Sequence, residues 1–218
     1  MELTDAVLSR RMIRRFTAAP VPIEVVQRIV ELGLRAPSAG FSQGWDFVLL
    51  SEPAAVQRFW SATADPDEPP DGWLAGMASA PALILCCSDK QRYLRRYAEP
   101  DKPWQDQLES HWPVPYWDVD TGMAAMIMLL AIVDAGLGGL FFGVPEEQLD
   151  DVHRAFGIPA DRRIVGVIAL GHPAETAPSG STRSRQRRSI AEVVHHNRFG
   201  STDADADASD ATDATPSA

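Results

Sequence analysis

The stretch that decides the fold is "MAAMIMLLAIV", residues 123–133, an uninterrupted apolar run in a chain of 218 residues. A helix that is apolar on every side must be covered on every side, and this run is too short to span a bilayer. Asp118, Asp120 and Asp134 flank it. We therefore predict a helix from about Asp118 to Ala135 that is buried in protein. Because a chain of this size offers limited cover, the pattern also predicts a subunit interface and hence a homodimer.

The segments around this helix alternate between helical and strand patterns. Apolar and aromatic density predicts strands in "WDFVLLS", "PALILCC", "GLGGLFFGVP" and "RRIVGVIALG". Helical spacing predicts helices in "LTDAVLSRR", "VPIEVVQRIVELGLRAP", "PAAVQRFWSAT", "GWLAGMASA", "PEEQLDDVHRAFG" and "SIAEVVHHNRF". Residues 88–117 have no clean period, and their aromatics and prolines predict an ordered excursion or a substrate lid. The class is therefore mixed, either α/β or α+β.

Charge and cysteine content exclude several classes of protein. The formal net charge is −10, and the five Asp of the final stretch, "STDADADASDATDATPSA", carry half of it. This stretch has too few apolar side chains to fold, so we predict a folded domain over residues 1–200 and a disordered acidic tail over 201–218. The acidic balance argues against nucleic-acid binding. Cys86 and Cys87 are interpreted as reduced thiols in a buried strand. With no visible signal peptide, they predict a cytoplasmic protein that does not bind membranes.

Two clusters of arginine contrast with this acidic background. "RRMIRRF" covers residues 10–16 and "RSRQRRS" covers residues 183–189. On a helix, Arg10 and Arg14 would share a face, where like charges repel unless an anion lies between them. The guanidinium group is suited to phosphate. The alternative is a solvated basic face paired to nearby acids, and the first cluster taken alone favours that alternative.

A turn of small residues, "RAPSAGFSQGWDFVLL" at 35–50, stands between a predicted helix and a predicted strand. Its small side chains leave backbone amides unshielded, so a flat heteroaromatic ligand could approach main-chain groups closely. Ser38, Ser42 and Gln43 add short polar groups. The alternative is an ordinary helix-to-strand loop, because Pro, Ser and Gly are common in loops.

The order of these motifs resembles the nitroreductase family of flavoproteins. An early "RRxxRxF" is followed by "APSAGxSQGWxF", by an apolar helix that leads into "GLGGLFFG", by a strand that ends in Gly and by a late arginine-rich stretch. The similarity covers roughly residues 8–198. It implies an α+β fold with a central, mostly antiparallel sheet flanked by helices. It also implies a homodimer that binds FMN in two sites at the subunit interface, with the long buried helix at that interface.

The resemblance further implies a set of residues for each part of the cofactor. Those implied to approach the phosphate and ribityl chain are Arg10, Arg11, Met12 and Arg14. Those implied to line the isoalloxazine ring are Pro37, Ser38, Ala39, Gly40, Ser42 and Gln43. Those implied to cover one flavin face are Phe141, Phe142 and Gly143. Those implied to close on the phosphate from the second cluster are Arg185, Arg187 and Arg188. Three residues depart from the family pattern, which usually has Ser in place of Met12, Asn in place of Ser42 and Pro in place of Gly44.

The activity implied is that of an FMN-dependent oxidoreductase. It would take hydride from NAD(P)H, a transient electron donor, and reduce nitroaromatic, quinone or similar flat acceptors by a ping-pong mechanism. Residues predicted to face the acceptor are Phe41, Trp112, Tyr116 and Trp117, with packing of the tryptophans against the protein body as the alternative. No catalytic side chain is predicted, because the flavin carries the chemistry. No metal site is predicted, because His195 and His196, adjacent in a helical pattern, point apart.

Three other functions fit parts of the pattern. A flavin-sequestering protein would bind FMN without turnover. A specialised flavin or deazaflavin reductase, or a dehalogenase, would use the same fold for another reaction. A nucleic-acid-binding module would use both arginine clusters, but the interleaved aromatics of a stacking platform are missing around them.

Overall fold

The computed structural model describes residues 1–64, 72–174 and 184–201, apart from the side chain of Trp73. The chain divides into two compact units, Met1–Ala177 and Pro178–Ala218, which we call the larger and the smaller unit. Apart from Ser201, the predicted acidic tail lies outside the described residues. The single domain over residues 1–200 and the disorder of the tail therefore stay predictions.

The larger unit contains seven described helices and four strands. The helices are α1 (Leu3–Ser9), α2 (Ile23–Gly33), α3 (Pro53–Ala62), α4 (Gly72–Met77), α5 (Lys90–Tyr97), α6 (Tyr116–Asp134) and α7 (Leu149–Phe156). The strands are β1 (Trp45–Leu50), β2 (Ala82–Asp89), β3 (Gly138–Phe142) and β4 (Arg162–Gly171). Short 3₁₀ turns lie at Ala39–Phe41, Glu109–His111 and Glu146–Gln148. Every predicted strand is confirmed, whereas α5 was not predicted.

The four strands form one sheet in the order β1-β2-β4-β3, and each neighbouring pair is antiparallel. The prediction of a mixed helix and antiparallel-sheet fold is therefore confirmed. Strand β2 is buried along its whole length, because it has strand neighbours on both sides and helices on both faces. Helices α3 and α7 supply the core on one face, and α2 and α6 supply it on the other.

The two cysteines lie in this buried strand, as predicted. Both are free thiols, and Cys86 and Cys87 belong to the cores on opposite faces of the sheet. Adjacent strand residues point to opposite faces, which explains why the two sulfurs are not bonded to each other. Burial raises the pKa of both thiols, that of Cys87 to about 11. The folded protein therefore keeps both cysteines protonated at neutral pH.

Helix α6 packs against all four strands on one side only. Its buried side includes Ala124, Met128 and Ile132. The other side exposes apolar residues, among them Met123 at 42% and Met126 at 40% exposure. By length and composition alone the helix could cross a membrane, but its packing on the sheet is that of a core helix. A single chain therefore does not cover this helix all round, and the homodimer stays a prediction.

The first arginine cluster is not helical, so Arg10 and Arg14 do not share a helix face, and the helix predicted to reach Arg11 is shorter. Helix α1 ends at Ser9, and the chain then runs extended. It does so because the Ile13 amide donates to the carbonyl of Gly139 at 3.0 Å and Met12 forms a parallel bridge with the same glycine. Pairing with the sheet therefore outweighs continuation of the helix.

The described part of the smaller unit contains one short helix, α8 (Ile190–Val193). Ser189 and Glu192 form a capping box at its start, which satisfies two backbone amides. The helical pattern predicted to reach His195 and His196 is wrong, because α8 ends before them. The reading of these histidines as a helical pair therefore does not hold.

Candidate functional site

The residues 37–43, which we call the 37–43 turn, have an unusual backbone. Gly40, Phe41 and Gln43 all have positive φ angles, of 60°, 56° and 49°. For Phe and Gln this conformation is uncommon and costs free energy. Internal hydrogen bonds support it: the Gln43 amide donates to Ser38 Oγ at 3.0 Å, and Ser42 Oγ donates to the Ala39 carbonyl at 2.6 Å.

The consequence of this backbone is that Phe41 points outwards. Phe41 is 76% exposed. A strained and exposed aromatic residue contributes nothing to the core of its own chain. Such a residue is suited to a ligand or to another protein surface.

A buried acid holds the turn against the rest of the protein. Asp120 of α6 is 3% exposed, and its Oδ2 accepts hydrogen bonds from the Ala39 amide at 2.9 Å and from the Tyr93 hydroxyl at 2.7 Å. Arg96 of α5 donates from Nε to the Gly40 carbonyl at 3.0 Å. Sequence reasoning missed these three residues. The sequence did contain a signal for Asp120, an acidic residue within the predicted apolar helix, but we interpreted it only as flanking the apolar run.

Residues 90–117 form an aromatic cluster beside the turn. Its rings belong to Tyr93, Tyr97, Trp104, His111, Trp112, Tyr116 and Trp117. Trp112 is central, with ring centroids 4.6 Å from Tyr97 and 5.9 Å from Trp117. Of the residues predicted to face substrate, Trp117 is 4% exposed and packs in the cluster, whereas Tyr116 is 42% exposed.

The first arginine cluster, residues 10–16, which we call the arginine segment, contains one buried polar atom without a hydrogen-bond partner. Nη1 of Arg10 is buried and has no hydrogen-bond partner among the described residues. Arg14 Nη1 donates to the Met12 carbonyl at 3.3 Å. A buried guanidinium N–H without a partner is costly, and an anionic ligand is the partner it is suited to.

Phe141 and Phe142 lie on opposite faces of the sheet, as neighbouring strand residues should. The ring of Phe142 stacks on Trp60 at 5.7 Å with an interplanar angle of 9°. Phe141 lies over Gly166, where an added Cβ would come within 2.2 Å of its ring. Both phenylalanines therefore contribute to packing, and their contact with a flavin stays a prediction, as does that of the exposed Gly143.

The turn and the arginine segment are bound to opposite ends of α6. Ala39 is hydrogen-bonded to Asp120, near the start of the helix. Ile13 is hydrogen-bonded to Gly139, whose Cβ position is in contact range of Ile132, near the end of the helix. At 1.5 Å per residue, Asp120 and Ile132 are about 18 Å apart along the helix axis.

The sheet gives a second, independent measure of this separation. Strand β1 begins just after the turn at Trp45, which pairs with Ser88, and Ser88 pairs with Arg163 at the start of β4. Gly139, beside the arginine segment, pairs with Leu170 at the other end of β4. At 3.3 Å per residue, Arg163 and Leu170 are about 23 Å apart. One chain therefore does not bring the two parts of the predicted site together.

The late arginines belong to the smaller unit, and each is exposed there: Arg185, Arg187 and Arg188. Arg188 Nη2 donates to the Glu192 carbonyl at 2.5 Å. Convergence of these residues with the first arginine cluster stays a prediction.

A cavity of about 490 Å³ lies near the aromatic cluster, and its lining includes Ser88, Trp112 and Trp117. Its basic residues already have acidic partners: Lys90 contacts Glu109, Arg162 contacts Asp46, Asp89 and Asp161, and Arg163 contacts Asp118. This cavity therefore lacks an uncompensated charge that would select an anion. Among the described residues no group of His, Cys, Asp and Glu is arranged to hold a metal ion.

Comparison with known proteins adds four findings. A family model described as "Nitroreductase family" matches residues 7–172. The NADPH-flavin oxidoreductase of Vibrio harveyi is 27% identical over 195 residues, which cover 89% of this chain and 73% of that protein. The NADH dehydrogenase of Thermus thermophilus is 26% identical over 192 residues, which cover 80% of this chain and 88% of that protein. A solved structure of the Vibrio harveyi NADPH:FMN oxidoreductase complexed with NAD⁺ superposes with a TM-score of 0.68 at 25% identity, covering 95% of this chain and 82% of that one.

Proposed function

Because this chain belongs to the nitroreductase family, we propose that it is an FMN-dependent oxidoreductase that oxidises NAD(P)H and reduces a flat, electron-poor acceptor such as a nitroaromatic or a quinone. The broader class, an NAD(P)H-dependent flavin oxidoreductase, is supported by the names of its relatives. The choice of FMN is supported by the relative whose structure is described as an NADPH:FMN oxidoreductase. When bound, FMN supplies the hydride and electron transfer, with donor and acceptor binding in turn.

The observation that carries this proposal is the buried, unpartnered Nη1 of Arg10. A phosphate dianion would satisfy this group, and Arg11 and Arg14 lie in the same segment. The residues present therefore fit the phosphate end of FMN. We assign the phosphate to this segment, with Arg185, Arg187 and Arg188 as further partners.

The ring end is assigned to the 37–43 turn. Its small residues, Ser38, Ala39 and Gly40, allow close approach to the main chain, and Ser42 and Gln43 complete the polar edge. Phe41 is exposed and is assigned to the face on which the nicotinamide and the acceptor stack, together with Tyr116. The protein's task there is to orient the second substrate and to exclude water, because the cofactor carries the chemistry.

The separation of these two parts supports a homodimer. The exposed apolar residues of α6, Tyr116, Val119, Met123 and Met126, form one side of the helix. Helix α1, which contacts α6, exposes Leu3, Val7 and Leu8. A patch of this kind marks an interaction surface. A second copy seated on α6 would place its turn beside the first copy's arginine segment, giving two sites per dimer.

The cytoplasmic location stays a prediction.

Colour and cofactor analysis test this proposal. We expect the purified protein to be yellow, to release FMN on denaturation, and to lose its yellow colour when NADH or NADPH is added without oxygen. Persistent colour after both donors would favour the flavin-sequestering alternative. A colourless protein that does not take up FMN would contradict the proposal, and release of a deazaflavin would contradict the choice of FMN.

A further inference from the structure

The 37–43 turn is fixed by contacts that its own sequence does not supply. The Ala39 amide and the Gly40 carbonyl, two adjacent backbone groups, are bound by Asp120 of α6 and Arg96 of α5. Because three residues of the turn have positive φ angles, the isolated turn would relax toward commoner conformations. External partners are therefore needed to keep it in this shape.

Asp120 and Tyr93 form one buried unit. Tyr93 is completely buried, Asp120 nearly so, and the tyrosine hydroxyl and the Ala39 amide donate to the same carboxylate oxygen. Burial, followed by the hydrogen bond to Asp120, raises the pKa of the Tyr93 phenol, so it remains a donor throughout the physiological range. The buried Asp120 carboxylate holds both donors in place, because loss of either hydrogen bond leaves a buried oxygen without a full set of partners.

Gly44 explains how Tyr93 reaches this position. A Cβ on Gly44 would lie 2.3 Å from Tyr93 Cε2 and 2.7 Å from the carbonyl oxygen of Asp89, both well inside contact distance. A larger residue at position 44 would therefore displace the ring of Tyr93 and with it the hydroxyl that binds Asp120. The departure from the family pattern at this position and the buried tyrosine belong to one arrangement.

Other residues of the 90–117 segment also connect it to the 37–43 turn. Arg96, which binds Gly40, is itself held by a two-point ion pair with Asp101 at 2.7 and 2.8 Å. Tyr97 packs against Gly40 and stacks on Trp104 at 5.4 Å. These contacts run from the turn through α5 to the aromatic cluster and α6, and they leave the segment packed at both ends.

We propose that Asp120 and Tyr93 are positioning residues that set the conformation of the 37–43 turn, and that residues 90–117 are a fixed support for this turn and not a movable substrate lid. Only one part of this proposal rests on the proposed function: that the turn serves to bind the flavin ring. The positioning itself is a property of the protein without flavin. The two claims therefore have separate tests.

The test measures amide hydrogen exchange in the flavin-free protein and FMN affinity in the same variants. For Asp120→Ala we expect the amides of residues 39–43 to exchange about fivefold to tenfold faster, the factor that corresponds to the free energy of one hydrogen bond. FMN should bind correspondingly more weakly. Asp120→Asn keeps an acceptor oxygen and should recover part of both losses. Tyr93→Phe keeps the ring packing and the carboxylate, and should give an intermediate effect.

Ser88→Ala is the matched control. Ser88 is also buried and also ties the sheet to α6, through a 2.6 Å hydrogen bond to Asp118, but it does not touch the turn. This variant should lose a comparable amount of stability while turn exchange and FMN affinity stay at wild-type values. If Asp120→Ala does not fold, Tyr93→Phe and Asp120→Asn decide.

Two results would overturn the positioning claim. One is unchanged exchange of residues 39–43 in folded Tyr93→Phe and Asp120→Asn. The other is a control variant that loosens the turn as much as they do. Rapid exchange throughout 90–117 in the wild-type protein would overturn the fixed support. A wild-type protein with a protected turn but no FMN binding would contradict the proposed function and leave the positioning claim standing.

Discussion

Gly40 and Tyr97 are in direct contact: a Cβ added to Gly40 would lie 2.7 Å from Tyr97 Cε2. Gly40 also has a φ of 60°, so two independent reasons require glycine at this position. We expect Gly40→Ala to lower the free energy of unfolding by about 2–3 kcal/mol, combining backbone strain with the displaced ring. FMN affinity should fall with it, as measured by quenching of flavin fluorescence.

Gly157 offers the control for Gly40→Ala. It has a φ of 63° but open space around its Cβ position. Gly157→Ala should therefore cost only the strain, about 1 kcal/mol, and leave FMN affinity unchanged. Equal effects of the two substitutions on FMN binding would contradict the role of the Gly40–Tyr97 contact.

Arg10→Ala removes the guanidinium group whose buried, unpartnered Nη1 we assign to the FMN phosphate. A charge-assisted hydrogen bond is worth about 1.5–3 kcal/mol, so the Kd for FMN should rise roughly 10- to 100-fold. Arg187→Ala should weaken FMN in the same way if the late cluster also reaches the phosphate. Arg28→Ala, at an exposed ion pair with Glu31, is the control and should change nothing. Wild-type flavin content in both test variants would refute the phosphate assignment.

The cysteines give a pH prediction. The pKa of Cys87 is raised to about 11 by burial, whereas the unfolded thiol has a pKa of about 8.5. The unfolded state therefore loses its proton first, so the stabilisation is complete below about pH 8.5 and is lost as the pH rises to 11. Urea titrations at pH 8, 9.5 and 10.5 should show this decline, and Cys87→Ala should reduce it. A decline of equal slope in Cys87→Ala would exclude Cys87 as the cause.

The exposed side of α6 predicts the effect of a charge at the interface. Met123→Lys places an ammonium group in the patch that we propose to be covered by a second copy. It should shift the protein from dimer to monomer in sedimentation velocity, and lose bound FMN with it. Asp150→Lys on α7, which packs on the other face of the sheet, should stay dimeric. A Met123→Lys dimer that keeps its flavin would place the interface elsewhere.

The elements with strong local patterns were predicted from the sequence, and the contacts between distant segments were not. Strand β2 and helix α6 follow from uninterrupted apolar runs, and the family resemblance is confirmed by the match over residues 7–172. Helix α5 was missed because only Tyr93 and Leu94 of its eight residues are buried, which leaves no apolar stripe to detect.

The candidate site shows the same limit. The 37–43 turn could be predicted from its small residues, but its support depends on Asp120, which lies 81 residues beyond Ala39 in the chain. The first predicted helix was expected to include Arg10 and Arg11, whereas α1 ends at Ser9 and the fold pairs Ile13 with Gly139. Local helix propensity determines the backbone conformation only where no distant strand provides hydrogen bonds that the helix would have to give up.

The central claim is that each flavin site takes its arginine segment from one copy and its turn from the other. The most direct measurement is the flavin content of a purified mixed dimer, in which one tagged chain carries Arg10→Ala with Arg14→Ala and the other carries Gly40→Ala with Ser38→Ala. Each parent homodimer should be nearly free of FMN. The mixed dimer should contain about one FMN, because one of its two sites receives both intact parts. A mixed dimer as empty as its parents would show that each site is built within one chain and would contradict the account.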